Sequence, residues 1–146
     1  MAINAVSGII STDRSTVGTY SVTFTGTVTG CTVSSTSVVN VLDAPTFGSV
    51  SQAAPVCDGS TATINLTGLV PGNLSNIRYS ISGGTLGGAV TGTTNVTATA
   101  AGTASFTLDL TTPYNSALLR ITEVRLQNQA VCAIATTAST TLTVYT

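Results

Sequence analysis

The stretch TATINLTGL, residues 61–69, decides the fold class of this chain of 146 residues. Apolar Ala62, Ile64 and Leu66 alternate with polar residues, so an extended backbone has one apolar face and one polar face. This two-residue period is typical of a β-strand that is buried on one side. The stretch therefore predicts a strand that packs on a hydrophobic core.

The same alternation recurs along the chain. It appears in five further stretches: 19–28, 76–82, 103–110, 118–126 and 140–146. Within 118–126 the apolar phase changes between Ile121 and Val124, which predicts a β-bulge near Glu123. Turn sequences such as VPGN (70–73) and TTPYN (111–115) separate the strands. Short alternating strands with regular turns predict an all-β protein with an antiparallel, immunoglobulin-like β-sandwich.

Two stretches of the chain resemble each other and suggest its domain organisation. TGCTVSSTSVVNVL (29–42) and AVCAIATTASTTLTVY (130–145) each place one Cys before hydroxyl residues and a short apolar strand. Asp43-Ala44-Pro45 interrupts the chain after the first of them. We therefore expect residues 1–44 to be the closing strands of a preceding or strand-complementing module, and residues 45–146 to be a complete sandwich.

The charge content excludes several classes of partner. The chain has four basic residues, all Arg, and five acidic ones, with a formal net charge of −1. No basic patch for nucleic acid and no apolar run long enough for a membrane span is present. We expect neither nucleic-acid binding nor membrane insertion. The start, MAINAVSGII, does not have the pattern of a signal peptide, so we expect a mature or cropped piece of an exported protein.

The three cysteines predict one disulfide and one remaining thiol. Cys57 precedes the strand 61–69 and Cys132 follows the penultimate strand, so we expect both at one end of the sandwich and bonded to each other. Cys31 then has no partner in its own chain and is free or bonds to another chain. The alternative is a reduced protein with three buried free thiols.

Residues that carry chemistry are scarce. The chain has no His, which removes the common general base, so we expect no catalytic residues, no metal site and no cofactor. Asp58 and Asp109 are expected to be exposed single carboxylates, and calcium bound near one of them is the alternative. Tyr20 and Tyr79 are in phase with core residues, whereas Tyr114, in a turn, is the one aromatic residue expected to be exposed for a ligand such as a polysaccharide.

Two stretches carry a resemblance to a known family. GTYSVTFTGTVTGCTVSSTSVVNVL (18–42) resembles the closing strands of the immunoglobulin-like repeats in large secreted adhesins of Bacteroidota, of the gliding-motility and type IX secretion type. APVCDGSTATINLTGL (54–69) is similar to the opening of such a repeat. The resemblance implies an extracellular protein of the bacterial cell surface with no catalytic residues.

Three functions remain open from the sequence. The first is a structural module that spaces and presents the binding regions of an adhesin or filament, with neighbouring modules as partners. The second is a filament subunit that joins other copies of itself by strand complementation through residues 1–44. The third is a carbohydrate-binding module.

Overall fold

The computed structural model describes residues 1–127 and 132–146, apart from the side chain of Thr12. These residues form fourteen β-strands and two short 3-10 turns, and they include no α-helix. The all-β prediction is therefore confirmed. Contacts divide the chain into two compact units, Met1–Asp43 and Ala44–Thr146. The boundary lies one residue before the expected junction.

The first unit is built around one long hairpin. Two short strands, β1 (Ala2–Ile3) and β2 (Ile10–Ser11), pair with each other and precede a 3-10 turn. Strands β3 (Gly18–Val28) and β4 (Cys31–Val41) then pair antiparallel over their whole length. Thr29 and Gly30 join them with φ of 48° and 83°. Positive φ at both central residues is the requirement of a type I′ turn, whose twist matches that of the flanking strands.

The second unit contains the remaining ten strands. They are β5 (Ser49–Gln52), β6 (Val56–Cys57), β7 (Ser60–Thr67), β8 (Leu74–Gly83), β9 (Val90–Thr97), β10 (Ala104–Leu110), β11 (Ala117–Leu126), β12 (Ala133–Ala135), β13 (Ser139–Thr141) and β14 (Val144–Tyr145). One antiparallel sheet has the order β10-β7-β5. The other has the order β12-β11-β8-β9, with β13 also paired to β11. A short parallel pair, β14-β6, completes the unit.

The two sheets share one hydrophobic core. On β7 the residues Ala62, Ile64 and Leu66 are all buried, as the alternation in TATINLTGL predicts. They belong to a single cluster with inward residues of β8 and β11, the central strands of the other sheet. A large aliphatic side chain contributes about 1.5–3 kcal/mol when it is fully buried. Seven strands contribute buried residues, so the core holds the whole second unit together.

The bulge predicted near Glu123 is confirmed. The register of β11 against β8 shifts between Ile121 and Glu123. Because of the extra residue, Leu119 and Ile121 before the shift and Val124 after it all point into the core. The bulge thus keeps β11 apolar on its inner face along its full length.

The end of the chain departs from the sequence prediction. The alternation in residues 140–146 predicts one closing strand, but the structure divides this region between β13 and β14. β13 pairs with β11, whereas β14 leaves that sheet to run parallel to β6. Leu142 and Val144 are both buried, as predicted, because the crossing keeps their side chains in the core.

Candidate functional site

The predicted disulfide between Cys57 and Cys132 is not formed in the structure. Cys57, Cys132 and Cys31 are all exposed and free. The strand register also argues against a bond between Cys57 and Cys132.

The two cysteines lie at opposite ends of the second unit. Cys57 pairs with Tyr145 on β14. Leu142, just before β14, donates its backbone N–H to the carbonyl of Ala117, so Cys57 lies near the end of the unit where β11 begins at Ala117. Cys132 precedes Ala133, which pairs with Arg125 near the other end of β11. Eight residues of β11 separate Ala117 from Arg125, about 26 Å at 3.3 Å per residue. A disulfide needs Cα atoms within roughly 7 Å of each other.

Tyr114 is not the exposed aromatic residue that the sequence predicted. It ends the 3-10 turn Thr112–Tyr114, is half-buried and packs against the core. Burial raises the pKa of the Tyr79 phenol, and the nearby Tyr114 raises it further. The turn therefore folds the aromatic ring of Tyr114 toward the core. Exposed aromatic rings occur instead at Phe24 and Tyr145.

Asp58 and Asp109 each satisfy a neighbouring donor. The carboxylate of Asp58 accepts the backbone N–H of Thr112 at 2.5 Å. That of Asp109 accepts the hydroxyl of Thr61 at 2.7 Å. Both residues are exposed, as predicted. The Asp58 carboxylate thus joins the turn before β7 to the 3-10 turn at Thr112, and the Asp109 carboxylate joins β10 to β7.

The first unit exposes much of its apolar surface. Of the twelve large hydrophobic residues that are exposed in the described chain, nine belong to Met1–Asp43. Four residues at the end of the β3–β4 hairpin lie on the same face, and we call them the hairpin tip: Phe24, Val28, Cys31 and Val33. Their apolar side chains are 53–59% exposed. Single exposed apolar residues are ordinary, but a contiguous patch indicates an interaction surface.

The outer face of the sheet formed by β8, β9 and β11 gathers the positive charge of the second unit. Arg78 on β8 and Arg120 on β11 both point away from the core, out of phase with Ile77 and Ile121. A shallow depression of about 390 Å³ on this face is lined by Arg78, the residues Ser80, Thr91, Thr93 and Thr122, and also Tyr79 and Gly92. This face was not predicted from the sequence.

The phase of each strand contained a usable signal for these residues. Arg78 alternates with Ile77 and Tyr79, and Arg120 alternates with Leu119 and Ile121, so both were predictable as outward residues. What the sequence did not contain was the pairing of β8 with β11, which brings the two arginines together.

Comparisons with models of known protein families, with curated proteins and with solved structures found no match to this chain. Among residues 1–127 and 132–146, no helix is long and apolar enough to cross a membrane. The same residues include no group of three or more His, Cys, Asp or Glu side chains that could hold a metal ion. The geometry of the chain itself is therefore the guide to function.

Proposed function

We propose that this protein is a structural module of an extracellular adhesin or filament of the bacterial cell surface, and that its second unit is an immunoglobulin-like sandwich built to bear tension. The strand arrangement supports the fold. A three-stranded sheet faces a five-stranded one, and the connections β7 to β8, β9 to β10 and β10 to β11 cross between them. Such crossings are typical of Greek-key sandwiches.

The observation that carries this proposal is a set of hydrogen bonds between the first strands of the second unit and the last segment of its chain. Gln52 donates through Nε2 to the Thr143 carbonyl at 3.1 Å and accepts the Thr143 N–H through Oε1 at 2.7 Å. The Val56 N–H donates to the same carbonyl at 3.3 Å, and the Asp58 N–H donates to the Tyr145 carbonyl at 2.8 Å. We call these four bonds the terminal clamp.

The direction of the strands determines how the clamp responds to force. β6 lies near the beginning of the unit, β14 lies near its end, and the two run parallel. Pulling the N-terminal and C-terminal ends of the unit apart therefore slides β6 along β14 and loads all four bonds together. Forced unfolding is governed by the unfolding rate, so bonds that must break first set the mechanical strength. A module that spaces binding regions away from a cell needs such resistance.

Single-molecule force spectroscopy on tandem copies of residues 44–146 tests this role. We expect unfolding in single force peaks, and a lower peak force for Gln52→Ala, which removes two of the four clamp bonds. Asn76→Ala is the matched control because it removes a side-chain bond to Asn95 (2.8 Å) between β8 and β9, away from the clamp. Equal losses of force in both variants, or unfolding without a force peak, would contradict the proposal.

A second function, assembly of copies through the first unit, is favoured by the hairpin tip. Within the described residues β3 and β4 pair only with each other, so each has a free edge as well as an exposed apolar face. Free edges and apolar faces together promote pairing with another chain. Cys31 at the tip would then face a neighbouring copy.

Light scattering after size exclusion distinguishes assembly from a monomeric spacer. Assembly predicts concentration-dependent oligomers that are lost in Phe24→Ser and Val33→Thr. Val38→Thr is the control, since Val38 is also exposed but lies on the opposite face of the hairpin. Oligomers that dissociate when reductant is added and are absent in Cys31→Ser would show that a disulfide through Cys31 joins the copies. A monomer at every concentration would eliminate assembly.

A further inference from the structure

The three arginines of the second unit all lie on one of its two sheets. Arg78, Arg120 and Arg125 lie on β8 and β11 of one sheet, and only Glu123 lies among them. Asp109 is on β10 of the other sheet. The two sheets of a sandwich are about 10 Å apart, and their outward charges are further apart than the screening length of about 8 Å in physiological salt. The arginine-bearing face therefore presents its own positive potential.

Two of the three arginines on this face, Arg78 and Arg120, are exposed, and Arg78 also forms a long ion pair with Glu123 across the strands. Glu123 is held at 3.0 Å by Arg125, whereas its separation from Arg78 is 3.9 Å. The Arg78 side chain is 58% exposed. Arg120 is exposed, and its side chain makes no ion pair within the described part of the chain.

The strand register arranges these arginines in a small grid with hydroxyl residues. Arg78 pairs with Thr93 on one side and with Glu123 on the other, while Ser80 pairs with Arg120 on one side and with Thr91 on the other. Arg78 and Arg120 are therefore diagonal neighbours, about 7–8 Å apart across the sheet. The bulge places Thr122 beside them, where its hydroxyl donates to the Arg78 carbonyl at 3.2 Å. We call this set the arginine face: Arg78, Ser80, Thr91, Thr93, Arg120 and Thr122.

We propose that the arginine face binds an anionic polysaccharide. Guanidinium groups pair with carboxylate or sulfate oxygens, and Ser and Thr hydroxyls both donate to and accept from sugar hydroxyls. A protein partner fits less well, because the centres of protein interfaces use apolar and aromatic anchors, and the aromatic residue that lines this depression, Tyr79, packs its ring against Phe106 and the core. Nucleic acid fits less well too, since strong binding needs many phosphate contacts or stacking rings. The inference goes beyond the structural role and does not depend on it.

An NMR titration of the ¹⁵N-labelled chain, residues 1–146, tests this proposal. The probes are oligogalacturonate for the carboxylate, sulfated dextran oligomers for the sulfate, neutral dextran oligomers and a short DNA duplex. We expect shifts at residues 78–80, 91–93 and 120–122 with at least one anionic oligosaccharide and none with the neutral one. The probe that binds more tightly identifies the acidic group.

Arginine variants give the test its control. Because exposed ion pairs are weak, Arg78→Gln and Arg120→Gln are each expected to weaken binding by about two- to fivefold. Arg14→Gln removes the same charge from the first unit and should leave the affinity unchanged. The proposal is overturned by absent binding to both anionic probes, by shifts elsewhere on the chain, by an equal loss in Arg14→Gln, or by DNA binding as tight as that of the oligosaccharides.

Discussion

At the scale of single residues, Tyr79 shows how closely the core of the second unit is packed. Its ring stacks on Phe106 with centroids 5.5 Å apart and covers the backbone of Gly92 on the neighbouring strand. A Cβ atom at Gly92 would overlap the phenol ring. Glycine is thus required at this position because of its small size, although it weakens strands elsewhere.

Replacing this glycine is expected to destabilise the protein. Gly92→Ala should lower the free energy of unfolding of the second unit by about 1–3 kcal/mol, the usual cost of overpacking. Chemical denaturation monitored by circular dichroism measures the change. Gly26→Ala, also within a strand but with open space around its Cβ position, is the control and should cause no loss. Equal losses at both positions would show that the Tyr79 contact is irrelevant.

The raised pKa of Tyr79 predicts a loss of stability in alkali. Burial favours the neutral phenol, so the folded state holds its proton to a higher pH than the unfolded state, whose phenol ionises near pH 10. The stabilisation is complete below about pH 10 and is lost as the pH rises through the folded pKa. Tyr79→Phe should therefore show a smaller fall in denaturation midpoint between pH 9 and 11.5. The control is Tyr145→Phe, at an exposed position, whose denaturation midpoint should fall as much as that of the parent chain.

At the scale of elements, the β3–β4 hairpin combines a favourable turn with a strained residue. A type I′ turn needs positive φ at both central positions, and Asn-Gly satisfies this best. The chain instead has Thr29 at φ of 48°, which is costly for a β-branched residue. The hairpin therefore forms despite its first turn residue, through eleven paired positions on each strand.

Relieving this strain should stabilise the hairpin. Thr29→Asn is expected to increase the opening free energy of β3 and β4 by about 1 kcal/mol, because Asn tolerates positive φ. Hydrogen exchange of the hairpin amides measures this change. Thr27→Asn introduces the same side chain two residues earlier, within β3, where it should reduce protection because Asn is a poor strand former. Slower exchange in both variants would contradict this account of the turn.

At the scale of the whole molecule, burial is distributed very unevenly between the two units. Of the nineteen hydrophobic residues that are buried in the described chain, only Val22 belongs to Met1–Asp43. A two-stranded hairpin with so little core is marginal in water, whereas two sheets around a common core are not. Stability must therefore come almost entirely from the second unit.

Separating the two units tests this distribution. Residues 44–146 alone should unfold cooperatively, with a midpoint within a few degrees of that of the full chain, because removal of the first unit deletes almost no core. Residues 1–43 alone should show little protection from hydrogen exchange. Calorimetry of the shorter chain and a comparison of its amide NMR spectrum with that of residues 1–146 decide the matter. A large drop in midpoint would mean that the first unit contributes to the core stability.

The sequence by itself determined the features that depend on near neighbours along the chain. Alternation with a period of two residues identified the buried faces of β7, β8 and β11, and the change of phase near Glu123 identified the bulge. Gly and Pro marked the turns, and Asp43-Ala44-Pro45 marked the junction. These signals are local, since the backbone places successive side chains on opposite faces whatever lies beside the strand.

Only the tertiary structure decided which strands are neighbours and what covers each face. It placed Cys57 and Cys132 at opposite ends of the second unit, folded Tyr114 inward, left Phe24 exposed, and moved β14 away from β13 to pair with β6. It also brought Arg78 and Arg120 onto one face. The physical reason is that strand order depends on how connections cross between two sheets, and these crossings join residues that are distant in the chain. The alternation within a strand is the same whichever neighbour it has.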